Sequence, residues 1–581
     1  MAARDWVYVS FVAFFAAMGA FLSGYSIGSS NGLQNFAGYL EYFDMGNSSA
    51  NSSCTETSHL KEDDRIALVR CSTLMVVILI LSLQGAIISI INLGGAIGSL
   101  LAGRTTDFLG RKVTLAMSGV LVVVGTAIQS AAVQGAPWMV IFGRLISGIG
   151  YGSFYMAGPV YIAEIAPMHI RGTLTSLVGP TIAMGILTGY ITNYLLYNQL
   201  FGWRVSRVLA CVFGFVYIVG MALMPRTPRW LMLKGRESEA REVLRKTASK
   251  LGQEGIESEL EDIRQTLKSA TKQNIVQEIK LLLKWRNLKR VLLGVALHLL
   301  SAACGTAIYF YSEPLFCSLG IVPFVTALVI GGLTLCGTTF TTIFIDKIGR
   351  KPMLVGGGLM MFLLTGAAAT LVYAFKLEED KNDVVGYIVV CLVCLFMLVY
   401  SSTWYVIPWV VTSEIFPLEG RGVAVSISTA LNWLMAYVLT QAFPSFLASI
   451  QTFGTLYMIS IIDLAAALFF FFLLPETKGF SLEEMDQQFE KSWRERIRIS
   501  CCFRFSHTRG VDVSTQNGIP KSENNALNGV VMLEDNSVEL QDTKQKSDFV
   551  EESDKDWGDW ERYVTESRIV SKQNCVNEHS P

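Results

Sequence analysis

The 581-residue chain predicts an all-α membrane protein, with twelve transmembrane helices arranged as two six-helix halves. Three observations predict it. Hydrophobic residues make up 51% of the chain and charged residues 16%, against about one quarter charged in a soluble globular protein. Apolar stretches of about 20 residues, enough to cross the hydrocarbon core of a bilayer, recur along its length. Three short signatures also occur twice in the same order. EIAPMHIRG, Glu164 to Gly172, returns as EIFPLEGRG, Glu414 to Gly422. DFLGRK, Asp107 to Lys112, is answered by DKIGRK, Asp346 to Lys351. Pro225 opens PRTPRWL and Pro475 opens PETKG, each 61 residues after its glutamate. An internal repeat of this kind sets the architecture before any single helix does.

The predicted spans are roughly 6–30, 74–101, 113–133, 137–161, 173–197, 205–225, 290–316, 322–345, 353–375, 385–412, 422–449 and 453–474. The first is apolar for too long to be a signal-peptide core and lacks a small-residue cleavage pattern. Each signature then falls in a short loop at one end of the bundle. G-R-K follows spans two and eight, R-G follows four and ten, and the proline motifs follow six and twelve. Lys and Arg concentrate in these loops and in 226–289, while loops such as VQGAP and CSLGIVP are nearly free of them. By the positive-inside rule the signature loops and both termini are cytoplasmic.

The predicted organisation is therefore a first bundle over 1–225, a cytoplasmic linker over 226–289, a second bundle over 290–474 and a cytoplasmic tail over 475–581. The first loop, 33–73, is then extracellular. It holds two glycosylation sequons, at Asn47 and Asn51, and Cys54 and Cys71, which are either a disulfide or two free thiols. The linker has apolar positions at helical spacing and reads as short amphipathic helices. After about residue 495 the tail is polar and aperiodic, the composition of a disordered segment that cytosolic partners can engage. Cys501 and Cys502, in a basic and aromatic context, are either palmitoylation sites or free thiols.

Composition also excludes functions. The net charge is −1, so no nucleic-acid partner is expected. The cysteines and histidines show no zinc-like pairing, so no metal or cofactor is expected. No nucleophile–base arrangement or phosphate loop points to an enzyme.

The signatures predict a mechanical role. Asp107, Arg111, Glu164 and Arg171 place opposite charges at neighbouring helix ends, and Asp346, Arg350, Glu414 and Arg421 repeat the set. Exposed pairs are worth about 0–1 kcal/mol each, so a network of them biases a two-state equilibrium without locking it. Repeated halves suit alternating access about a midplane site.

GRTTDFLGRK, PVYIAEIAPMHIRG, PRTPRWLMLKGR, DKIGRK, PWVVTSEIFPLEGRG and PETKG together resemble the sugar porter family of the major facilitator superfamily, over roughly residues 6–490. The likeness is to animal facilitative hexose transporters and their polyol-carrying relatives. It implies the major facilitator fold, a central cavity and a monosaccharide or polyol substrate. The chain departs from the family's pattern at the ligands. The paired glutamines of the seventh helix fall on Leu300 and Ser301, and the asparagine that follows on Thr306. The fifth-helix glutamine falls on Gly179, the eighth-helix asparagine on Thr334, and the Gly-Pro before the tenth-helix tryptophan on Tyr405 and Val406. Trp409 and Asn432 survive. With Ser301, Thr306 and Thr334 they form the implied substrate set.

His298 joins the set from the residues themselves. With Ser301, Gly305, Tyr309 and Ser312 it forms one helical face, and polar stripes inside a membrane face a cavity or a partner helix. Ser23, Ser26 and Ser30 make a second stripe. Proton-coupled family members carry an aspartate where this chain has Ser26, near an arginine that here is Arg144. A serine cannot cycle a proton at neutral pH, so facilitative uniport is favoured, with carbonyls or polar groups such as Gln129 as the expected partners of Arg144. Proton-coupled sugar or inositol symport through Glu313 or His298 is one alternative. A non-transporting nutrient sensor with a long tail is the other. The plasma membrane is the expected location.

Overall fold

Every regular element among the described residues is a helix. The structure, a computed structural model, describes residues 2–30, 39–42, 71–166, 171–196, 198–199, 201–247, 252–269, 275–318, 323–375, 377, 383–416 and 420–478. Asn47, Asn51, Cys54, Cys501, Cys502 and the tail beyond 478 lie outside them, as do the side chains of Cys71, Arg171, Ser312 and Glu313.

The first half contains α1 (Ala2–Ser30), α2 (Cys71–Phe108), α3 (Arg111–Ser130), α4 (Pro137–Ile165), α5 (Val178–Leu196) and α6 (Gly202–Leu223). The second contains α7 (Trp285–Ser318), α8 (Pro323–Ile348), α9 (Arg350–Ala374) and α10 (Asp383–Ser402), then α11 (Arg421–Leu447) and α12 (Ser449–Leu473). Their outward faces are apolar and exposed, with Phe11, Val120, Phe215, Leu363 and Ile461 among them. Helices satisfy their own backbone groups, which is the condition for crossing lipid.

Two spans differ from expectation. Span ten does not run unbroken from 385 to 412. Helix α10 stops at Ser402, and a second piece runs Ile407–Ile415 with Pro408 in its first turn. Proline has no N–H and disfavours helix in the residue before it, so the chain restarts there. The fourth helix is rich in Gly, Ser and Tyr and is not among the eleven helices that meet a spanning hydropathy among the described residues. It is nonetheless 29 residues long. It packs along both α2 and α3, and its glycines allow that approach: a Cβ at Gly152 would lie 2.0 Å from the Gly95 carbonyl oxygen. A kink falls in the first turn of α12 at Gln451, whose φ of 59° is the only positive value at a non-glycine among the described residues.

Packing repeats with the sequence. In the first half α1 packs on α5, α2 and α3 on α4, and α3 on α6. In the second, α7 packs on the α11–α12 unit, α8 and α9 on α10, and α9 on that same unit. The halves meet through α2 against α11 and α5 against α8, which are equivalent pairs under the repeat. Between the halves lie four helices, Pro228–Leu233, Glu237–Thr247, Gly252–Ser269 and Ile275–Leu282. The first three share a small core of Trp230, Leu231, Ala240, Leu244, Ile256 and Leu260.

Candidate functional site

An aromatic cluster forms where the halves face each other. From α4, Tyr155 approaches Trp409 at 5.4 Å and Trp433 at 5.3 Å between ring centroids. Trp409 in turn meets the His298 ring at 4.7 Å, edge to face. Ser23 of α1 donates to the Tyr155 hydroxyl at 3.4 Å. Trp433 lies against α2 because residue 95 is glycine: a Cβ there would sit 2.7 Å from the indole. The cluster thus joins α1 and α4 of one half to α7, α11 and the Ile407–Ile415 piece of the other.

The hydrogen bonds fix what His298 offers. Thr412 donates to the Pro408 carbonyl at 2.9 Å, so its oxygen accepts from His298 Nε2 at 3.3 Å. The ring is then the Nε2–H tautomer. Its Nδ1 is an acceptor with no partner. Asn432 donates from Nδ2 to the His298 carbonyl at 2.9 Å. The Trp433 indole N–H and the Thr429 hydroxyl are likewise buried and unpartnered. A flat apolar surface beside unpartnered donors and acceptors matches a small solute with hydroxyls on its edge and C–H groups on its face.

The other predicted residues are placed as follows. Ser301 donates to the Trp404 carbonyl at 2.6 Å, so its hydroxyl holds the break after α10. Thr334 accepts from the Tyr309 hydroxyl at 2.5 Å and Tyr309 stacks on Tyr405 at 5.7 Å, which extends the aromatic wall. Thr306 stands beside the Tyr400 hydroxyl. A Cβ at Gly179 would lie 3.2 Å from Val406, which packs against this face of α5.

At the α1–α4 position, Ser26 is buried beside Tyr151. Arg144 donates from Nη1 to the Ile87 carbonyl. A carbonyl is one of the two kinds of partner expected for Arg144; Gln129, an example of the other, donates to the Gly125 carbonyl at 3.2 Å and to Ser147 at 3.4 Å. The outer serines of α1 are engaged by Arg207, which donates to the Ser29 carbonyl at 2.6 Å and the Ser29 hydroxyl at 2.8 Å.

Sequence reasoning missed Asp463. It lies within α12, fully buried, with its carboxyl facing the Cys304 thiol and the Thr365 hydroxyl. The signal was one acid in an otherwise apolar stretch, IIDLAAAL. The reading that the cysteines include no C-x-x-C is wrong: Cys391 and Cys394 form one within α10, and both are free thiols.

The signature loops assemble two clusters. In the first half Arg111 contacts Asp107 at 3.3 Å and Glu164 at 3.1 Å. In the second Arg350 contacts Asp346 at 2.9 Å and Glu414 at 2.8 Å, and Thr477 donates to Glu414 at 2.6 Å. Arg421 donates to the Phe416 carbonyl at 3.1 Å, closing its own turn. Gly110 and Gly349 precede α3 and α9 with φ of 90° and 103°, values that favour glycine.

Comparison with known proteins follows this geometry. The model of the family described as "Sugar (and other) transporter" matches residues 12–489. Sugar carrier protein A of Ricinus communis is 30% identical over 485 residues, covering 82% of this chain and 88% of that protein. Probable polyol transporter 6 of Arabidopsis thaliana is 33% identical over 432 residues, covering 69% and 85%. Among solved structures, the proton:xylose symporter XylE bound to 6-bromo-6-deoxy-D-glucose aligns with a TM-score of 0.67 at 24% identity, covering 84% of this chain and all of that one. A partially occluded inward-open form of the xylose transporter XylE from E. coli gives 0.65 at 22%, covering 82% and 100%. The chain therefore belongs to the sugar porter family of the major facilitator superfamily, as a multi-pass membrane transporter and not an enzyme.

Proposed function

We propose that this protein carries a monosaccharide or related polyol across the plasma membrane by alternating access, as a facilitative uniporter with both termini cytoplasmic. The observation that carries the reading is the cluster of Tyr155, Trp409, Trp433 and His298 between the halves. It offers an apolar ring surface and an unpartnered acceptor at His298 Nδ1. Asn432 shares the site, Thr334 and Thr306 support its wall, and Ser301 sets the chain break that presents Trp409. The sugar carriers and polyol transporter among its relatives support the solute class. Ser26, in place of a carboxylate, supports uniport.

The second reading, proton-coupled symport, is favoured by Asp463. An acid buried in a membrane bundle, with no cation beside it among the described residues, is costly to ionise; it holds a proton that it releases only when water or a cation reaches it.

Uptake of labelled hexoses, pentoses, myo-inositol and a disaccharide into proteoliposomes, with and without an inward proton gradient, tests both. Saturable uptake of one member, independent of the gradient, is the expected result. Trp409→Ala is then expected to lower kcat/KM by about tenfold or more, the loss of an aromatic contact worth roughly 1–3 kcal/mol. Accumulation that needs the gradient and disappears in Asp463→Asn would replace uniport with symport.

A further inference from the structure

We propose that the cleft between the start of α3 and the Pro225–Trp230 turn binds a phosphoryl oxyanion, supplied by the headgroup of an acidic phospholipid. The argument begins in the second half, where the equivalent place is filled. There the Glu476 carboxylate accepts the backbone N–H of Arg350 at 3.1 Å and of Lys351 at 3.0 Å. It also accepts those of Thr477 and Lys478 at 3.0 and 2.9 Å. The start of α9 is thereby tied to the turn after α12 by one negative charge, the sign a helix N-terminus favours.

In the first half the residue at that position is Arg226. The cleft is lined by Gly110, Arg111, Lys112, Arg226, Thr227 and Trp230. No carboxylate caps α3. Arg226 lies over the Trp230 ring at 4.6 Å and forms no ion pair among the described residues. Independent of the helix end, two buried polar groups in the lining lack partners. The Thr227 hydroxyl, on a residue 1% exposed, has none, and neither does the Trp230 indole N–H, on a residue 6% exposed. The Thr227 counterpart, Thr477, is hydrogen-bonded to Glu414. Buried hydroxyls and indoles ordinarily find a partner. Two neutral donors, the Lys112 and Arg226 cations and the N–H groups of a helix start form the donor set for phosphate oxygens; Lys112 also donates to the Ala222 carbonyl at 2.8 Å, and Arg111 is held by Asp107 and Glu164. The cleft is shallow, so the anion rests at its mouth on Lys112, Arg226 and the helix-start N–H groups, and it meets the buried Thr227 and Trp230 donors as the Arg226 side chain lifts off the ring.

The rim identifies the source. Phe108, Leu223 and Leu233 are 76%, 78% and 50% exposed around it, an apolar margin beside a cationic patch. That is the boundary between acyl chains and headgroups. A lipid phosphate there completes the first half as Glu476 completes the second, and ties that bundle's loop cluster to membrane composition.

The test is thermal unfolding of the full chain in detergent, which does not depend on the solute or on transport. Short-chain phosphatidic acid, phosphatidylcholine of the same chain length and inorganic phosphate are compared. Phosphatidic acid is expected to raise Tm by several degrees beyond phosphatidylcholine. Arg226→Glu, which supplies the carboxylate from the protein, is expected to remove at least half of that rise. Arg245→Glu, the same charge change at an exposed position on the linker, is expected to keep it. An Arg226-dependent rise with inorganic phosphate as well sustains the site and makes free phosphate its source. No rise, an equal rise in Arg226→Glu, or an equal loss in Arg245→Glu overturns the proposal. Should Arg226→Glu fail to fold, Thr227→Val and Lys112→Gln are read in its place: a full rise in both overturns it.

Discussion

At the loop end of the first half, Arg111 holds Glu164 at 3.1 Å and Asp107 at 3.3 Å. At that of the second, Arg350 holds Glu414 at 2.8 Å and Asp346 at 2.9 Å. The ion pairs are alike because the repeated motifs specify them. The proline turns are not alike. Glu476 gathers four backbone N–H groups and Thr477 reaches Glu414, whereas Arg226 turns onto Trp230 and Thr227 and one oxygen of Glu164 are left unpartnered. One change of charge at an equivalent position decides whether a helix start is satisfied from within the protein. The second proline turn is closed from within the protein, and the first is open to something else.

The largest effect expected from this difference is at Glu476. Glu476→Ala strands N–H donors that the carboxylate satisfied, a loss on the order of 1–3 kcal/mol, read as a lower Tm in detergent free of anionic lipid. Arg226→Ala under the same conditions is expected to stay within about 0.5 kcal/mol of the parent. Equal losses would break the comparison.

A smaller effect is expected at the glutamates. Glu414→Gln weakens the contacts to both Arg350 and Thr477, whereas Glu164→Gln weakens only that to Arg111. Partly exposed pairs are worth about 0–1 kcal/mol each, so the initial uptake rate is expected to move further in Glu414→Gln. The opposite order would show that the first cluster, despite its open turn, governs the transition.

The smallest effect is at the linker. Glu278, on the Ile275–Leu282 helix, has its pKa raised, first by partial burial and then by the Asp107 carboxylate. Its folded pKa lies above the unfolded value, so ionisation works against the fold above that pKa. The penalty fades as pH falls toward the ordinary value of 4.5. The parent is therefore expected to gain Tm slightly on mild acidification, and Glu278→Gln to gain less. Identical pH profiles would mean that the linker helix does not sense the first cluster.

Much of this was legible in the sequence, unevenly. Span lengths, the two halves and the signature pairs could be read because each depends on local hydropathy or on motif order. His298 was legible through its helical stripe, and Trp409 and Asn432 through the family likeness. Tyr155 and Trp433 were not, since nothing in FYMAGPVY or NWLMAY says which rings meet across the halves. Asp463 was visible as a lone acid, but hydropathy averaged over a whole span conceals a single charge.

The sequence by itself determined the membrane class, the duplicated six-helix plan and the family. Periodicity, span length and motif spacing are properties of a single line of residues. Only the tertiary structure decided which polar groups remain available. Ser301 was read as a ligand and donates to the Trp404 carbonyl, and Ser30 of the α1 stripe accepts from Arg207. His298 Nδ1 and the Thr227 hydroxyl proved to be unpartnered. Each of those outcomes depends on what distant segments bring within about 3 Å, and the order of residues along the chain does not fix that distance.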